Sequence, residues 1–332
     1  MSTGFAISVV IPNHNGGQTL GECLEAVYKT GYPGLEVILV DDASNDDSLK
    51  IAGRFPVRVI RHEKCRGAAA ARNSGAAAVG GEIVLFIDSD VIIPRDTFKI
   101  LREDLADPKI AGVVGLLRPF TRFGNLCSQY KNFYMHYTYR QLPALISVFY
   151  TSIAAIRRTV FDECGGFDER YRSATIEDTE FGVRITGRGH RLLLDQRLQV
   201  DHVRRYDLKG LLKTGFRRAG GITLITIRDR NKPKSKSSYL TTSTSFLAGI
   251  VLSGLIVLFP ILALVFSRPV FLAGAAAAWL AILALNRGFI AGLGRRRTVF
   301  FLTAALLLPA DLLVHGAGAA WGAISFLLGK RC

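Results

Sequence analysis

The sequence predicts an α/β domain with a doubly wound, mostly parallel sheet, followed by transmembrane helices. Three observations lead to this prediction. Apolar runs alternate with helix-like segments over residues 5–92, as in parallel strands that are joined by helices. Aspartates follow two of these runs, at Asp41 and Asp42 and again at Asp88 and Asp90. Beyond residue 240 the chain is strongly apolar and carries only seven basic and one acidic side chain.

The alternating elements come first along the chain. Runs rich in β-branched and aromatic residues, without polar alternation, are typical of strands that are buried on both faces. Apolar residues three or four positions apart, or many alanines, favour helices. The predicted elements are strands at 5–11, 35–40, 57–61 and 83–87, and helices at 18–30, 48–55 and 67–79. Pro12 is expected to end the first strand.

The predicted strand at 83–87 ends in two carboxylates, Asp88 and Asp90. In open α/β sheets ligands bind outside the carboxyl ends of the strands. Alternation along an extended chain points both side chains to the same side. Two carboxylates with this spacing suit Mg²⁺ or Mn²⁺, and such an ion suits a diphosphate. For an isolated pair a solvated turn would be the better explanation, so the prediction depends on the motifs around it.

Six short motifs, in order, resemble those of family 2 glycosyltransferases. They are SVVIPNHN at 8–15, VDDASND at 40–46, ARNSG at 71–75, DSD at 88–90, GGFDE at 165–169 and EDTEF at 177–181. The resemblance covers about residues 5–205. It implies the glycosyltransferase A fold, a nucleotide-diphosphate-sugar as donor and, for most members, inversion at the transferred sugar. A Gln-x-x-Arg-Trp signature of processive polysaccharide synthases is absent, which favours transfer of a single sugar.

The resemblance also implies which residues bind the donor. The expected set is Pro12, Asn13, Asn15, Asp41, Asp42, Arg72 and Asp88. Within this set Asp41 is expected at the base, Arg72 at the base and phosphate pocket, and Asp88 at the ribose or the metal. Other interpretations remain open, because Asp41 and Asp42 could cap the following helix and Arg72 could be a surface charge.

Metal binding and proton transfer fall to other residues. By resemblance Asp90 holds Mg²⁺ or Mn²⁺ together with Asp88, and His202 is a further candidate ligand, although a lone histidine is more often structural. The resemblance assigns Asp178 as the general base for an acceptor hydroxyl. If the acceptor is already a phosphate, Asp178 would only position it. A carboxylate at a helix start is ordinarily just a cap.

A basic segment separates the two parts of the chain. Residues 204–236 carry 11 basic and two acidic side chains, and the segment adjoins apolar sequence, which fits anionic lipids better than nucleic acid. Residues 208–222 predict a helix that lies either on a membrane surface or against its own domain. Glu177, Arg217 and Arg218 are candidate contacts to the acceptor or its phosphate. The aromatic-rich residues 130–140 are a second interfacial candidate, or else core or a wall of the acceptor site.

About three membrane spans are expected, at 241–266, 270–293 and 298–328. Basic flanks place the catalytic domain in the cytosol by the positive-inside rule. Asp311 and His315, within the third span, could contact a lipid headgroup or each other. The expected domains are 1–205 (catalytic), 206–238 (interfacial) and 239–332 (transmembrane). No signal peptide is expected, and the five scattered cysteines suggest reduced thiols.

The sequence thus predicts a multi-pass glycosyltransferase of the cytoplasmic membrane. It would move one sugar from a nucleotide-diphosphate-sugar to a lipid at the cytosolic leaflet, with polyprenyl phosphate expected first and a glycolipid next. One alternative keeps this chemistry but uses a polysaccharide or protein acceptor. A further alternative is an inactive membrane scaffold, which the presence of Asp88, Asp90 and Asp178 disfavours.

Overall fold

A computed structural model of the chain describes residues 5–171, 176–228, 244–295 and 298–328. The strands are β1 (Ile7–Asn13), β2 (Glu36–Asp41), β3 (Arg58–Arg61), β4 (Ile83–Ile87), β5 (Val91–Ile92), β6 (Ile110–Leu117), β7 (Leu145–Ile146), β8 (Ile153–Arg157) and β9 (Arg191–His202). The helices of the first part are α1 (Leu20–Tyr28), α2 (Ser48–Ala52), α3 (Ala68–Ala78), α4 (Thr97–Leu105), α5 (Leu126–Arg140), α6 (Arg158–Glu163) and α7 (Glu177–Gly187). They are followed by α8 (Leu208–Arg228), α9 (Thr244–Val265), α10 (Val270–Leu285), α11 (Arg287–Gly294) and α12 (Thr298–Leu327).

The strands form one mixed sheet in the order β3-β2-β1-β4-β8-β6-β9-β5, with β7 on β9. The four predicted strands β1 to β4 pair in parallel. Beyond them β8 runs antiparallel to both β4 and β6. The predicted α/β class is confirmed, and its parallel part is the half of the sheet that the local pattern predicted. The carboxyl ends of β1, β2 and β4 therefore lie at one edge.

The first strand begins and ends two residues later than predicted. It continues through Pro12 to Asn13, and Pro12 pairs with Val40 of β2. Its pairing with β4 ends at Val10, so the proline lies where only one neighbouring strand remains, a position at which a missing N–H is tolerated. The extension carries Asn13 to the edge of the sheet, where the site lies.

Close packing of α3 on β1 requires a glycine. A Cβ added at Gly75 would overlap Cγ1 of Val10, so only glycine lets the helix approach this closely. The rest of the buried face of α3 is mostly alanine, and it also includes the side chain of Arg72. The ARNSG motif therefore holds Arg72 at a fixed height above the sheet.

Two helices, α9 and α12, are long and apolar enough to cross a membrane, as judged by length and composition. The pair α10 and α11 would make a third span only as one broken element, because the two helices are bent by 69°. Many large apolar side chains on these helices are exposed, for example Leu264 at 82% and Leu306 at 70%. Such faces fit contact with lipid. The described residues therefore contain two helices that could cross a membrane, or three if the bent pair is one span, and about three were predicted.

The predicted helix at 208–222 is α8, which extends to Arg228 and packs along α12. Its buried face includes Gly215 and Gly220, while Lys209, Lys213 and Arg217 are exposed. The alternative that one face packs against the chain itself is thus observed, and a basic face remains outside. The predicted flanking residues 229–243, Arg296, Arg297 and Cys332 lie outside the described residues.

The polar pair in α12 contacts the catalytic part of the chain. The hydroxyl of Tyr130 in α5 donates to Oδ2 of the buried Asp311 at 2.9 Å. Nδ1 of His315 lies 3.4 Å from Oδ1 of the same aspartate. Of the two sequence interpretations, the contact between Asp311 and His315 is the one observed. The aromatic segment 130–140 is accordingly a packed wall between the sheet and the C-terminal helices, as one of its interpretations had it.

Candidate active site

A cavity of about 410 Å³ opens at the carboxyl ends of β1, β2 and β4. Helices α5 and α8 close its far side through Lys131 and Arg218. Ten of the predicted site residues line it, namely Pro12, Asn13, Asp42, Arg72, Asp88, Asp90, Glu177, Asp178, His202 and Arg218. Residues far apart in the sequence, from Pro12 to Arg218, therefore meet around one space.

Arg72 joins three of the motifs. Its Nη1 donates to Oε1 of Glu177 at 2.8 Å, and its Nη2 donates to Oδ1 of Asp88 at 2.9 Å. The guanidinium also lies over the ring of Phe167, 5.6 Å from its centroid. Arg72 is buried, so the interpretation of a surface helix charge does not hold. Breaking such a buried pair by removing one partner costs roughly 3–5 kcal/mol.

Asp88 and Asp90 lie in different electrostatic surroundings. Burial raises the pKa of Asp88 and so does the charge of Asp90, although Arg72 opposes both. Burial would also raise the pKa of Asp90, but the neighbouring His202 outweighs it and holds that pKa below its usual range. Oδ2 of Asp88 accepts a hydrogen bond from Ser152 at 3.0 Å, so both its oxygens have partners within the protein.

Asp90 and His202 are the donors best placed for a metal ion. Nε2 of His202 lies 3.5 Å from Oδ1 of Asp90, and pairing of β5 with β9 sets Val91 opposite His202. Across the described ranges, no three carboxylate, imidazole or thiol groups form a complete ligand set. Mg²⁺ sites commonly use one or two carboxylates and leave the other positions to water and substrate phosphates. Asp90 and His202 therefore fit a metal ion whose remaining ligands are water and substrate phosphates.

The two aspartates at the end of β2 lie in different surroundings. Asp41 is fully buried and does not line the cavity, and its carboxylate accepts from Nδ2 of Asn13 at 3.1 Å and from the amide of Ser44 at 3.2 Å. These bonds lie before α2, so Asp41 does not cap that helix, and its contact with the base stays a prediction. Alternation along β2 turns the next side chain, Asp42, toward the cavity.

Asp42 is held by donors from a neighbouring loop. His62 contributes Nδ1 at 2.7 Å, and the amides of Arg66 and Gly67 donate at 2.8 and 2.7 Å. Burial opposes ionisation, but these donors hold the pKa of Asp42 below its usual range. The carboxylate is therefore a fixed negative group at the cavity wall, and His62 is a supporting residue.

Two other predicted residues do not line the cavity. Asn15 is exposed, and its Oδ1 accepts from the amide of Asn45 at 2.9 Å, so it shapes the loop after β1. Arg217 is exposed on the outer face of α8, because neighbouring helix positions point in different directions. Several other lining residues were not among the predicted site residues. They include His14, which lies within the first motif, and Lys131, which lies in the aromatic segment 130–140.

Asp178 lies in the first turn of α7, where its Oδ1 accepts from the amide of Thr179 at 2.6 Å. Burial and the charge of Glu177 raise the pKa of Asp178 to about 6, while Arg218 and Arg72 act in the opposite direction. A carboxylate with a pKa near neutrality is suited to accept a proton under physiological conditions.

Comparison with known proteins finds a family model and several relatives that are similar to part of this chain. Residues 8–165 match the model of glycosyl transferase family 2. Glycosyltransferase GlyG of Streptococcus pneumoniae is 35% identical over 137 residues, which cover 40% of this chain and 44% of that protein. The pre-mycofactocin glycosyltransferase of Mycobacterium tuberculosis is 30% identical over 237 residues, covering 68% and 48%. The chain thus spans about half the length of these curated relatives.

Solved structures share the fold. The mannosyltransferase PcManGT of Pyrobaculum calidifontis superposes with a TM-score of 0.63 at 20% identity, covering 99% of this chain and 89% of that one. Residues 1–349 of TarS from Staphylococcus aureus give a TM-score of 0.51 at 18% identity, covering 98% and 92%. Both likenesses are at the level of fold.

Proposed function

We propose that this chain, which carries a glycosyl transferase family 2 domain at residues 8–165, transfers one sugar from a nucleotide-diphosphate-sugar to a lipid at the cytosolic leaflet. One observation carries the proposal. The cavity that gathers the donor motifs is walled on its far side by α5 and α8, and α8 packs along α12, a helix able to cross a membrane. A soluble donor and a membrane-bound acceptor would meet at such a place.

The donor side of the cavity supports a nucleotide-sugar with a divalent cation. The Pyrobaculum mannosyltransferase of similar fold is described in complex with GDP-Man and Mn²⁺. In this chain Asp90 and His202 would hold Mg²⁺ or Mn²⁺, with Asp88 beside them. When bound, the ion would neutralise negative charge on the departing diphosphate. Asp42, Asn13 and Arg72 would surround the nucleotide.

The chemistry needs one bond to form and one to break. An oxygen of the acceptor bonds to the anomeric carbon of the sugar, and the bond from that carbon to the diphosphate breaks, its electron pair leaving with the nucleoside diphosphate. If the acceptor is a hydroxyl, Asp178 takes its proton. If it is an ionised phosphate, no proton is taken and Asp178 positions the acceptor. Inversion at the anomeric carbon is the expectation for this family.

The proposed arrangement is multi-pass, with a catalytic domain at 1–205, an interfacial segment at 206–238 and membrane helices at 239–332. The catalytic domain would face the cytosol, because Arg295 and its basic neighbours in sequence flank the helices on that side and Arg268 alone lies in the opposite turn. Anionic lipids would attract the basic segment. Polyprenyl phosphate is the first acceptor to test, and a glycolipid is the second.

The proposal is tested by incubating membranes that contain the chain with a panel of labelled nucleotide-sugars and extracting the lipids. We expect one sugar to enter the lipid phase, and we expect a chelator to abolish transfer until Mn²⁺ or Mg²⁺ is restored. Asp90→Asn should abolish transfer as well. Glu163→Gln, a change of an exposed carboxylate outside the cavity, is the matched control. Label that appears only in water-soluble product would refute a lipid acceptor.

A further inference from the structure

A second, smaller cavity adjoins the first. It has a volume of about 100 Å³ and lies between α5, α8, α9 and α12. Its walls are largely apolar and include Tyr134, Phe246, Leu247 and Ile250. Both cavities share Lys131, Met135 and Arg218 as lining residues. The polar space at the strand ends therefore continues into an apolar cleft beside the two helices that can cross a membrane.

Two cations stand at the junction of the cavities. Lys131 extends from α5 and Arg218 from α8, and both side chains are half-buried. In the ranges that the structure covers, neither makes an ion pair with a carboxylate. Arg218 donates to the hydroxyl of Tyr139 at 3.5 Å, and the ammonium of Lys131 lies 5.8 Å from the ring centroid of Tyr134. The side chains of Tyr139 and Tyr134 thus contact Arg218 and Lys131 but do not neutralise their charges.

Unneutralised cations in a half-buried position are costly unless an anion joins them. Burial, followed by the charge of Arg218, lowers the pKa of Lys131 to about 8, so the two cations are held together against repulsion. The charge of Asp311 acts on Lys131 and that of Asp178 acts on Arg218, in each case favouring the cation. An incoming anion would relieve the repulsion between Lys131 and Arg218.

We propose that the acceptor is a lipid phosphate whose phosphate lies between Lys131 and Arg218 and whose first chain carbons occupy the second cavity. This inference rests on the proposed function and names the substrate class of the same site. A guanidinium and an ammonium are the groups that bind phosphate oxygens most strongly. The apolar cleft favours a hydrocarbon chain over a water-soluble phosphate. Because the cleft is small, most of the chain lies in the bilayer beside α9.

The placement fits the chemistry proposed above. Arg218 lowers the pKa of Asp178, so the two groups act on each other across the cavity. A phosphate held at Arg218 would therefore lie beside Asp178, on the side of the cavity that faces Asp88 and Asp90. The lipid reaches the sugar from the membrane side, while the nucleotide enters from the strand ends.

The test uses the full chain in nanodiscs of phosphatidylcholine, with polyprenyl phosphate as the probe. We expect Lys131→Gln and Arg218→Gln each to raise the KM for polyprenyl phosphate by at least about tenfold, the loss of one charged contact to phosphate. Lys213→Gln removes a charge from the exposed face of the same α8 and should stay within twofold. The corresponding polyprenol and inorganic phosphate should not compete.

A second variant tests the cleft without touching the cations. Ala219→Phe would fill part of the second cavity, which Ala219 lines. It should raise the KM for polyprenyl phosphate and for a short-chain prenyl phosphate alike, because both place their first chain carbons in the cleft, and it should leave the KM for the nucleotide-sugar within twofold. Thermal unfolding of each variant, with and without nucleoside diphosphate and Mn²⁺, verifies that it is folded.

Failure of this inference and failure of the proposed function give different results. If Lys131→Gln and Arg218→Gln label the lipid as well as the Lys213→Gln control does, the inference is overturned and the proposed function stands. If no lipid is labelled by any variant, binding of polyprenyl phosphate is measured by native mass spectrometry. Retention by the wild type and loss in both variants would support the inference, and equal retention would overturn it.

Discussion

Asp178 is the residue whose environment most directly suggests a chemical role. It lies at the start of α7, next to Glu177, which Arg72 engages at 2.8 Å. Burial and the adjacent carboxylate raise its pKa to about 6, so at neutral pH the side chain is ionised yet remains a usable base. A cap at a helix start would need no such environment, because a helix N-terminus lowers the pKa of a carboxylate.

The variant Asp178→Asn separates the two acceptor chemistries. A hydroxyl acceptor needs its proton accepted, so kcat should fall by about 10²-fold. With the lipid phosphate proposed above, kcat should stay within threefold and the KM for the acceptor should rise, because Asp178 then only positions it. With a hydroxyl acceptor, kcat/KM of the wild type should rise with pH through about 6 and then level off, because the carboxylate is the active form. The measurement is a pH–rate profile from pH 5 to 8. An asparagine variant with both a wild-type kcat and a wild-type KM for the acceptor would contradict any action of Asp178 at the acceptor.

Thermal unfolding gives an independent readout of the same group. An acid whose pKa is raised by folding contributes stability that is fully present below its unfolded pKa and is lost as pH rises through about 6. Asp178→Asn should therefore have a higher Tm than the wild type at pH 7.5, and the difference should shrink toward pH 4. Glu163→Gln, at an exposed position, should show neither effect.

At the scale of residues, the sequence predicts which side chains line the same cavity better than it predicts the partners of each side chain. Ten of the residues line one cavity, because motifs at the ends of adjacent parallel strands must converge. The sequence does not show which of Asp41 and Asp42 faces the cavity. A shift of one residue at the end of β2 would reverse the side that each side chain faces. Lys131 lies within the aromatic segment 130–140, which the sequence offered as a wall of the acceptor site, but no motif singled out this lysine. Its position follows from the packing of α5 against α12, through Tyr130 and Asp311.

At the scale of elements, the contact between α8 and α12 positions Arg218. The helices cross through glycines, since a Cβ added at Gly220 would lie 3.0 Å from the carbonyl oxygen of Gly318. A Cβ added at Gly322 would overlap the carbonyl oxygen of Gly220. Small residues of this kind let two backbones approach closely. The side of α8 next to this contact carries Arg218 into both cavities.

The substitution Gly322→Leu should push α8 away from α12 and cost about 1–3 kcal/mol of stability through overpacking. Displacement of Arg218 should also raise the KM for the lipid acceptor by more than fivefold. The matched control is Gly254→Leu in α9, because an added Cβ there meets nothing within 4 Å. Unfolding curves and acceptor kinetics check both variants. Equal behaviour of the two would show that the helix contact does not position the site.

The local sequence pattern predicts only part of the sheet. Strands β1 to β4 follow from apolar runs that are separated by helices, and they pair in parallel with their neighbours. The insertion of β8 between β4 and β6, antiparallel to both, depends on pairing between segments far apart in sequence. Periodicity within a short window does not contain such information. The 69° bend between α10 and α11 is equally invisible to hydropathy.

For the whole molecule, the central feature is one continuous path from the strand ends to the apolar helices. The polar cavity of about 410 Å³ and the apolar cleft of about 100 Å³ share three lining residues. Two helices that can cross a membrane adjoin the cleft. A nucleotide-sugar would enter from water at one end and a lipid from the bilayer at the other. The proposed transfer reaction requires the donor diphosphate to bind at the carboxyl end of β4.

The most direct test of this account is a structure of the full chain in a nanodisc with Mn²⁺ and the nucleoside diphosphate of its donor. The account predicts an ion in direct contact with Asp90 and His202, bridged to the diphosphate, with Asp178 across the same cavity. A diphosphate bound elsewhere, or Asp90 and His202 directed away from an ion-free nucleotide, would contradict it.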